Sequence, residues 1–388
     1  MDVMRHPSWL QPGTEGFGLD NLPLGRCRNH GYVIRIEDHA IATDDLSSAG
    51  ILEWLDPLVP LTTAQVQAAR SAARAYLEEP RQLLPIAELE LLTPMPVKAF
   101  ADFYSGINHA SNVGRMFRPD MPPLLPNYRH LPVAYNGRAS TVVPSGTAIT
   151  RPNGITKPAG EVPPIFGPTQ ELDFELELGF YIGRSTALGE VVPISEADSS
   201  IAGVVLVNDW SSRDVQRFEY QPLGPFLAKS FATSISPWLV TLDALEPFRI
   251  QGPAQEPAVL PHLAIDGPQH YDLKLEVALV VDGVEHVVCR TTSAELYWSF
   301  AQQFAHQSSN GTALESGDLY ATGTISGTEP GTFGSLLELT VRGSQPIAVG
   351  DQTRTFLQDG DEVVLRGYGS KDGHFISLGE VRGVVVPS

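Results

Sequence analysis

The sequence predicts a mainly β protein, and three observations predict it. The segment Leu172-Asp173-Phe174-Glu175-Leu176-Glu177-Leu178-Gly179-Phe180 alternates apolar and acidic residues with period two, the pattern of a strand. Short apolar or alternating runs recur along the chain, giving expected strands at 172–182, 202–208, 272–281, 335–342 and 361–366. The 388 residues include 35 glycines and 32 prolines. Together these make up roughly one residue in six, against roughly one in eight on average, without low complexity. Many turns and short strands fit that composition better than a helical bundle.

Taken in order, the first elements form a unit of their own, and the length alone suggests two or three domains. Tyr32-Val33-Ile34-Arg35-Ile36 and Ala40-Ile41-Ala42-Thr43 flank Asp38-His39 and predict a hairpin. A helix is expected over 64–78, because Thr62 and Gln65 have capping-box spacing, alanine dominates the interior and Pro80 stops it. Leu92-Thr93-Pro94-Met95-Pro96 reads as a linker, so the expected boundaries are 1–95 and 96–388. The second part is strand-rich and turn-rich, with Asp359-Gly360-Asp361 as a turn before Val363-Val364-Leu365. No internal repeat is visible.

The net charge of −19 argues against nucleic acid and anionic membranes as partners. An anionic substrate would have to be held by local cations. The two cysteines, Cys27 and Cys289, make no CxxC, which excludes a zinc ribbon or a disulfide framework and points to a reducing compartment. Met1-Asp2-Val3-Met4-Arg5-His6-Pro7 has no apolar leader region, and no apolar run is long enough to span a bilayer. A soluble cytoplasmic protein is expected.

The chemistry-bearing residues are mostly acidic. Asp173, Glu175 and Glu177 share one face of the expected strand, ~7 Å apart at i and i+2. They are either a solvated outer face or a hard-cation site, since Ca²⁺ and Mg²⁺ take carboxylate oxygens. Asp209 ends the apolar run Val204-Val205-Leu206-Val207, where it either caps a following helix or is paired or coordinated. If that helix forms, Arg213 and Gln216 point the same way and could hold a carbonyl or an oxyanion, with Lys229 joining them. Asp102-Phe103-Tyr104-Ser105-Gly106-Ile107-Asn108-His109 adds a further hard ligand, a phenol and a histidine. Taken alone, such a histidine more often packs in the core or lies on the surface. Gly323-Thr324-Ile325-Ser326-Gly327 allows backbone to approach a ligand closely. Glu338 interrupts an apolar strand, and is either buried and hydrogen-bonded or simply outward-facing. There is no G-x-S-x-G elbow, Walker A loop, H-E-x-x-H or dinucleotide fingerprint.

Together these stretches resemble the fumarylacetoacetase family, in the long two-domain form of the fumarylacetoacetate hydrolase superfamily. The matching motifs are Asp102-Phe103-Tyr104, His109-Ala110-Ser111-Asn112-Val113-Gly114, Leu125-Pro126-Asn127 and Gly137-Arg138-Ala139-Ser140. Further matches are Leu172-Asp173-Phe174-Glu175-Leu176-Glu177, Asn208-Asp209-Trp210-Ser211 and Tyr220-Gln221-Pro222-Leu223-Gly224-Pro225-Phe226-Leu227. Gly323-Thr324-Ile325-Ser326-Gly327 and Phe356-Leu357-Gln358-Asp359-Gly360-Asp361-Glu362-Val363 complete the set, which covers roughly residues 95–385. One departure is Asn136, where the family often carries histidine.

The resemblance implies a small N-terminal SH3-like barrel, a larger mixed β-roll catalytic domain and a homodimer. It implies Asp102, Glu175, Glu177 and Asp209 as ligands of a divalent cation, Ca²⁺ or Mg²⁺, with Lys229 and Thr233 near its outer shell. It makes His109 the base, Glu338 its orienting carboxylate, and Arg213, Gln216 and Lys229 the groups around the reacting carbonyl. Tyr104, Arg118, Tyr135, Arg213, Gln216 and Thr324 fall at substrate contacts, whereas Asp173 matches no ligand. The implied reaction is hydrolysis of the carbon–carbon bond of 4-fumarylacetoacetate to fumarate and acetoacetate, the last step of tyrosine and phenylalanine catabolism through homogentisate. The rivals are an acylpyruvate hydrolase, a decarboxylase–isomerase or a sugar-acid dehydratase on the same scaffold, and, more distantly, a non-catalytic metal-stabilised binding protein.

Overall fold

The computed structural model describes residues 7–388. The stretch Met1–His6, read above as lacking an apolar leader, lies outside them. The fold is mainly β, with a curled half-barrel sheet. Strands Leu24–Cys27, Gly31–Ile36, His39–Ala42 and Leu84–Pro85 form an antiparallel sheet in chain order. The expected hairpin is its centre, with Ile36 opposite His39 and Glu37 turning at φ 50°. The helix expected over 64–78 forms as Thr63–Tyr76. Thr62 Oγ1 accepts from the Gln65 amide at 3.3 Å, and the Gln65 side chain accepts from the Thr62 amide at 2.9 Å, so the capping box is complete. The segment read as a linker has no regular structure but is fastened: Thr93 and Met95 are buried, and the Met95 carbonyl accepts from the Tyr181 hydroxyl at 3.2 Å.

A seven-stranded sheet forms the centre, ordered Ala134–Asn136, Phe100–Phe103, Leu319–Ala321, Leu176–Ile182, Ile201–Asp209, Thr233–Ile235, Val142–Pro144. The run Val204-Val205-Leu206-Val207 is apolar throughout because both faces are covered. Val205 and Val207 pack with Leu24, Ile34, Ile41 and Val66 of the N-terminal part. Val204 and Leu206 pack with Leu275, Val277, Leu365 and Leu378 of a second, five-stranded sheet. That sheet is built on Leu273–Val281, Glu362–Lys371 and His374–Val386. Burial of these stacked apolar faces is the main stabilising contribution.

Two expectations are corrected. The strand expected at 335–342 is instead a short helix, Leu336–Leu339. Ser335 caps it, and Val341 and Arg342 end it with φ 47° and 56°. A short buried apolar run does not distinguish strand from helix by periodicity. The strand expected at 172–182 is broken: Leu172–Asp173 pairs with Ser211–Ser212, and Leu176–Ile182 joins the central sheet. Between them the Glu175 amide donates to the Asn208 side chain at 3.1 Å, so a side chain takes over one ladder bond. No helix among the described residues is long and apolar enough to cross a membrane.

Candidate active site

Three strands and the break before one of them deliver the acidic residues. Asp102 lies on Phe100–Phe103, Glu177 at the start of Leu176–Ile182, Glu175 in the break before it, and Asp209 at the end of Ile201–Asp209. All four are buried, and one oxygen from each lies within 4.8 Å of the others. Burial rules out the solvated-face alternative. The helix-cap alternative for Asp209 also fails, because the following helix begins at Arg213 with Ser212 as its cap. Asp173 is not one of the four; it faces Arg213, with Oδ2 2.8 Å from Nε.

The four carboxylates are unequally supported. Asp209 accepts from Thr233 Oγ1 at 2.8 Å on one oxygen, and from Tyr135 Oη at 2.6 Å and Lys229 Nζ at 2.8 Å on the other. Glu175 pairs with Lys229 and with Arg213 Nη1, the latter at 2.7 Å. Burial raises its pKa, but Lys229, Arg213 and His109 outweigh that and hold it below the usual carboxylate range. Asp102 and Glu177 share the Gly323 amide, at 3.1 and 3.0 Å. Burial first, then the neighbouring carboxylates, push both well above the usual range. Gly323 has φ +76°, and a Cβ there would lie 2.3 Å from the Phe103 carbonyl, so only glycine brings that amide in. Glu177 Oε1 is buried without a partner among the described residues. An all-carboxylate donor set with an unsatisfied buried oxygen fits a hard divalent cation.

His109 is buried on the helix Ile107–Phe117. Its Nδ1 lies 2.6 Å from Glu338 Oε2, and its Nε2 lies 3.9 Å from Glu175 Oε1. Glu338 also accepts from Asn112 Nδ2 at 2.9 Å, Ser326 Oγ at 2.8 Å and Ser335 Oγ at 2.9 Å. Burial works against its charge, yet His109 and these donors hold its pKa below the ordinary value. An ionised Glu338 fixes the proton on Nδ1, leaving Nε2 as the acceptor towards the carboxylates. The Tyr104 ring packs edge-on against the imidazole at 5.4 Å.

Arg213 opens the helix Arg213–Glu219, and its Nη1 donates to Gln216 Oε1 at 3.2 Å. Burial alone would lower its pKa; Asp173 and Glu175 reverse that and keep it charged. Arg213 Nη2 and Thr324 Oγ1 are buried without partners among the described residues. Arg118 lies further out, at the end of the His109 helix, with Nη2 3.4 Å from the Pro123 carbonyl. Tyr135, expected at the substrate, donates to Asp209 here. Residues missed from the sequence are Asn112, Ser326 and Ser335 around Glu338, and Asn208, which holds the Glu175 backbone. Asn112 follows His109 by three residues on one helix face, a readable signal once the helix is known.

Fold and site define a β-rich hydrolytic enzyme built around a buried carboxylate centre that could bind a divalent metal. Residues 98–386 match the fumarylacetoacetate (FAA) hydrolase C-terminal family. The chain is 46% identical to the fumarylacetoacetase of Rattus norvegicus, with 84% of this chain and 80% of the relative covered. It is 39% identical to that of Arabidopsis thaliana, with 98% of each covered. Among solved structures, the maleylpyruvate hydrolase of Sphingobium sp. SYK-6 superposes with a TM-score of 0.53 at 17% identity, over 94% of this chain and all of that one. The chain belongs to the fumarylacetoacetate hydrolase family.

Proposed function

We infer that the protein hydrolyses 4-fumarylacetoacetate to fumarate and acetoacetate, the closing step of tyrosine and phenylalanine breakdown. The observation that carries this reading is the 2.6 Å His109–Glu338 pair facing the four carboxylates. The curated relatives of similar length are fumarylacetoacetases. Asp102, Glu175, Glu177 and Asp209 would hold Ca²⁺ or Mg²⁺, with Lys229 and Thr233 bordering Asp209. When bound, the cation acts as a Lewis acid on the diketone oxygens.

The chain's own groups do the rest. His109 Nε2 takes a proton from water, whose oxygen bonds to the fumaryl group's own ketone carbon, the one that becomes the new carboxyl of fumarate. Glu338 stabilises the imidazolium that forms. Arg213, Gln216 and Lys229 meet the developing oxyanion. The carbon–carbon bond then breaks, and the departing carbon takes back a proton to give acetoacetate. Tyr104, Arg118, Tyr135 and Thr324 position the substrate. The same reading takes residues 1–95 as an SH3-like domain and 96–388 as a β-roll catalytic domain, in a cytoplasmic homodimer. The chain-order antiparallel sheet of the first part supports that division.

The test is loss of fumarylacetoacetate absorbance with Mg²⁺ or Ca²⁺ present, beside a panel of acylpyruvates. Preferred turnover of fumarylacetoacetate is expected. Turnover of an acylpyruvate with fumarylacetoacetate left intact would overturn the reading.

A further inference from the structure

We propose that Asp173 is a positioning residue: one buried carboxylate aims Arg213 at the reacting carbonyl and fixes the turn that carries Glu338. The proposal rests on the function inferred above. Asp173 is fully buried, and its two oxygens take four donors. Oδ1 accepts from the Phe174 amide at 2.8 Å and the Leu336 amide at 2.7 Å. Oδ2 accepts from the Leu337 amide at 2.9 Å and from Arg213 Nε at 2.8 Å.

A guanidinium is planar, so holding it at two points fixes the third. Asp173 holds Nε. Glu175 Oε1, at 2.7 Å, and Gln216 Oε1, at 3.2 Å, hold Nη1. Nη2 is the nitrogen left over, buried and without a partner among the described residues. Its direction is therefore set by the other two, and it is the donor available to substrate. Leu336 and Leu337 begin the helix Leu336–Leu339, so the amides that Asp173 grips are one and two residues from Glu338. The pairing that brings the two sides together is local. Asp173 lies opposite Ser211, Leu172 opposite Ser212, and the Arg213 amide donates to the Glu171 carbonyl at 2.9 Å.

A plain counter-charge for Arg213 would need only a negative group nearby. The observed grip uses both oxygens and mixes main-chain with side-chain donors. Asparagine cannot replace it, because whichever way its amide turns, the NH₂ faces two N–H donors. A group that orients a transition-state donor should act on kcat and leave metal affinity alone.

The experiment compares Asp173→Asn, Arg213→Leu and the double variant on fumarylacetoacetate, with Mg²⁺ affinity and thermal unfolding measured for each. Asp173→Asn is expected to lower kcat about 10²-fold, the usual scale for losing an oxyanion donor, with KM within about threefold of wild type and Mg²⁺ affinity unchanged. The double variant should fall below Arg213→Leu by a smaller factor than Asp173→Asn costs in the wild type, because the share of the loss that runs through Arg213 is already gone and only the share through the Glu338 turn remains. A folded Asp173→Asn protein with wild-type kcat, a loss that appears only as weaker Mg²⁺ binding, or fully multiplicative losses would each overturn the proposal.

If Asp173→Asn does not fold, Arg213→Lys decides. It keeps the charge but cannot be gripped at two points, and it leaves Asp173 its three main-chain donors. Its kcat should fall by a similar factor while amide hydrogen exchange at Leu336–Glu338 stays as in wild type. Wild-type turnover by Arg213→Lys would sink the idea. If the wild-type protein ignores fumarylacetoacetate and cleaves an acylpyruvate, the inferred function fails, and the same series on that substrate still judges Asp173.

Discussion

Two charged regions of this molecule make opposite use of the same side chains. On the outer face of the five-stranded sheet, Arg366 donates to Glu285 at 2.6 and 2.8 Å and to Glu380 at 2.5 Å, and Arg290 donates to Glu276 at 2.9 Å. These partners are placed by strand register: Glu276 lies opposite both Arg290 and Arg366, and Arg366 opposite Glu380. Every charge there has water and an opposite neighbour. In the site, by contrast, Asp102, Asp173, Glu175, Glu177 and Asp209 are buried with only Lys229 and Arg213 as permanent cations among their contacts. Burying unbalanced carboxylates costs free energy that hydrogen bonds only partly return. The outer ladder is a modest aid to stability. The inner cluster is a standing cost that a divalent cation bound among its carboxylates would offset.

The largest expected effect follows directly. Exhaustive chelation should abolish turnover and lower the unfolding temperature, and Mg²⁺ or Ca²⁺ should restore both. A cation at a hundred times its Kd would stabilise the native state by about 2.7 kcal/mol. In metal-free protein, Glu177→Gln should raise the unfolding temperature above that of metal-free wild type, because it replaces a carboxyl group whose burial among like groups costs stability whether it stays charged or takes up a proton. Turnover that survives chelation, or a Glu177→Gln protein less stable than its metal-free parent, would break the comparison.

Next in size is the proposed base. His109→Ala should cut kcat by roughly 10²–10⁴-fold while metal binding persists. Glu338→Gln should reproduce part of that loss, because it keeps shape but removes the charge that favours imidazolium. The double variant should be little worse than His109→Ala alone, as expected for groups acting together. Rate measurements under metal saturation check this, and multiplicative losses would separate the two residues.

The same contrast explains what could be read from the sequence. The central strands, the hairpin and the capped helix were legible because alternation, apolar runs and Thr62–Gln65 spacing are local signals. The carboxylates at 175 and 177 were legible as a pair for the same reason. Their convergence with Asp102 and Asp209 is not local: it needs the parallel pairing of Leu319–Ala321 with Phe100–Phe103 and the antiparallel neighbours beyond it. The family resemblance, not periodicity, supplied it. Ser335-Leu336-Leu337-Glu338 is an S-x-x-E helix start. Its leucines outweighed that signal and led to a strand at 335–342. The Asp173 grip was unreadable, because three of its four donors are main-chain amides, which carry no residue signature.

A smaller, pH-dependent effect lies away from the site. His270 is buried on the strand His270–Tyr271, packed so tightly that a Cβ on Gly252 would lie 2.2 Å from its Nδ1. Burial, only partly offset by the Leu296 backbone, pushes its pKa down to about 4. The folded state therefore prefers the neutral ring, and its contribution is fully present above the unfolded pKa of about 6.5. As pH falls from there towards 4, the unfolded chain takes up the proton first and stability drops, by about 3 kcal/mol in all. His270→Gln should flatten that part of the stability–pH curve relative to wild type, measured by urea unfolding with metal held saturating. Parallel curves for the two proteins would show that His270 titrates normally.

The smallest expected effect tests the other half of the comparison. Arg366 is the hub of the outer ladder, and its side chain is 30% exposed. Exposed pairs lose Coulomb energy to water and salt, and holding long side chains in place costs entropy, so each contributes about 0–1 kcal/mol. Arg366→Gln should therefore cost on the order of 1 kcal/mol at low ionic strength, because several carboxylates lose their shared cation at once. Most of that difference should vanish at 1 M salt, where the Debye length is about 3 Å. Turnover and metal affinity should not change, since the ladder lies on the far face of a sheet whose inner side packs on the core. The check is chemical unfolding at low and high salt beside a kcat measurement. A loss of several kcal/mol that salt leaves untouched would mean the ladder behaves like the buried cluster, and the division between a stabilising surface and a costly site would have to be redrawn.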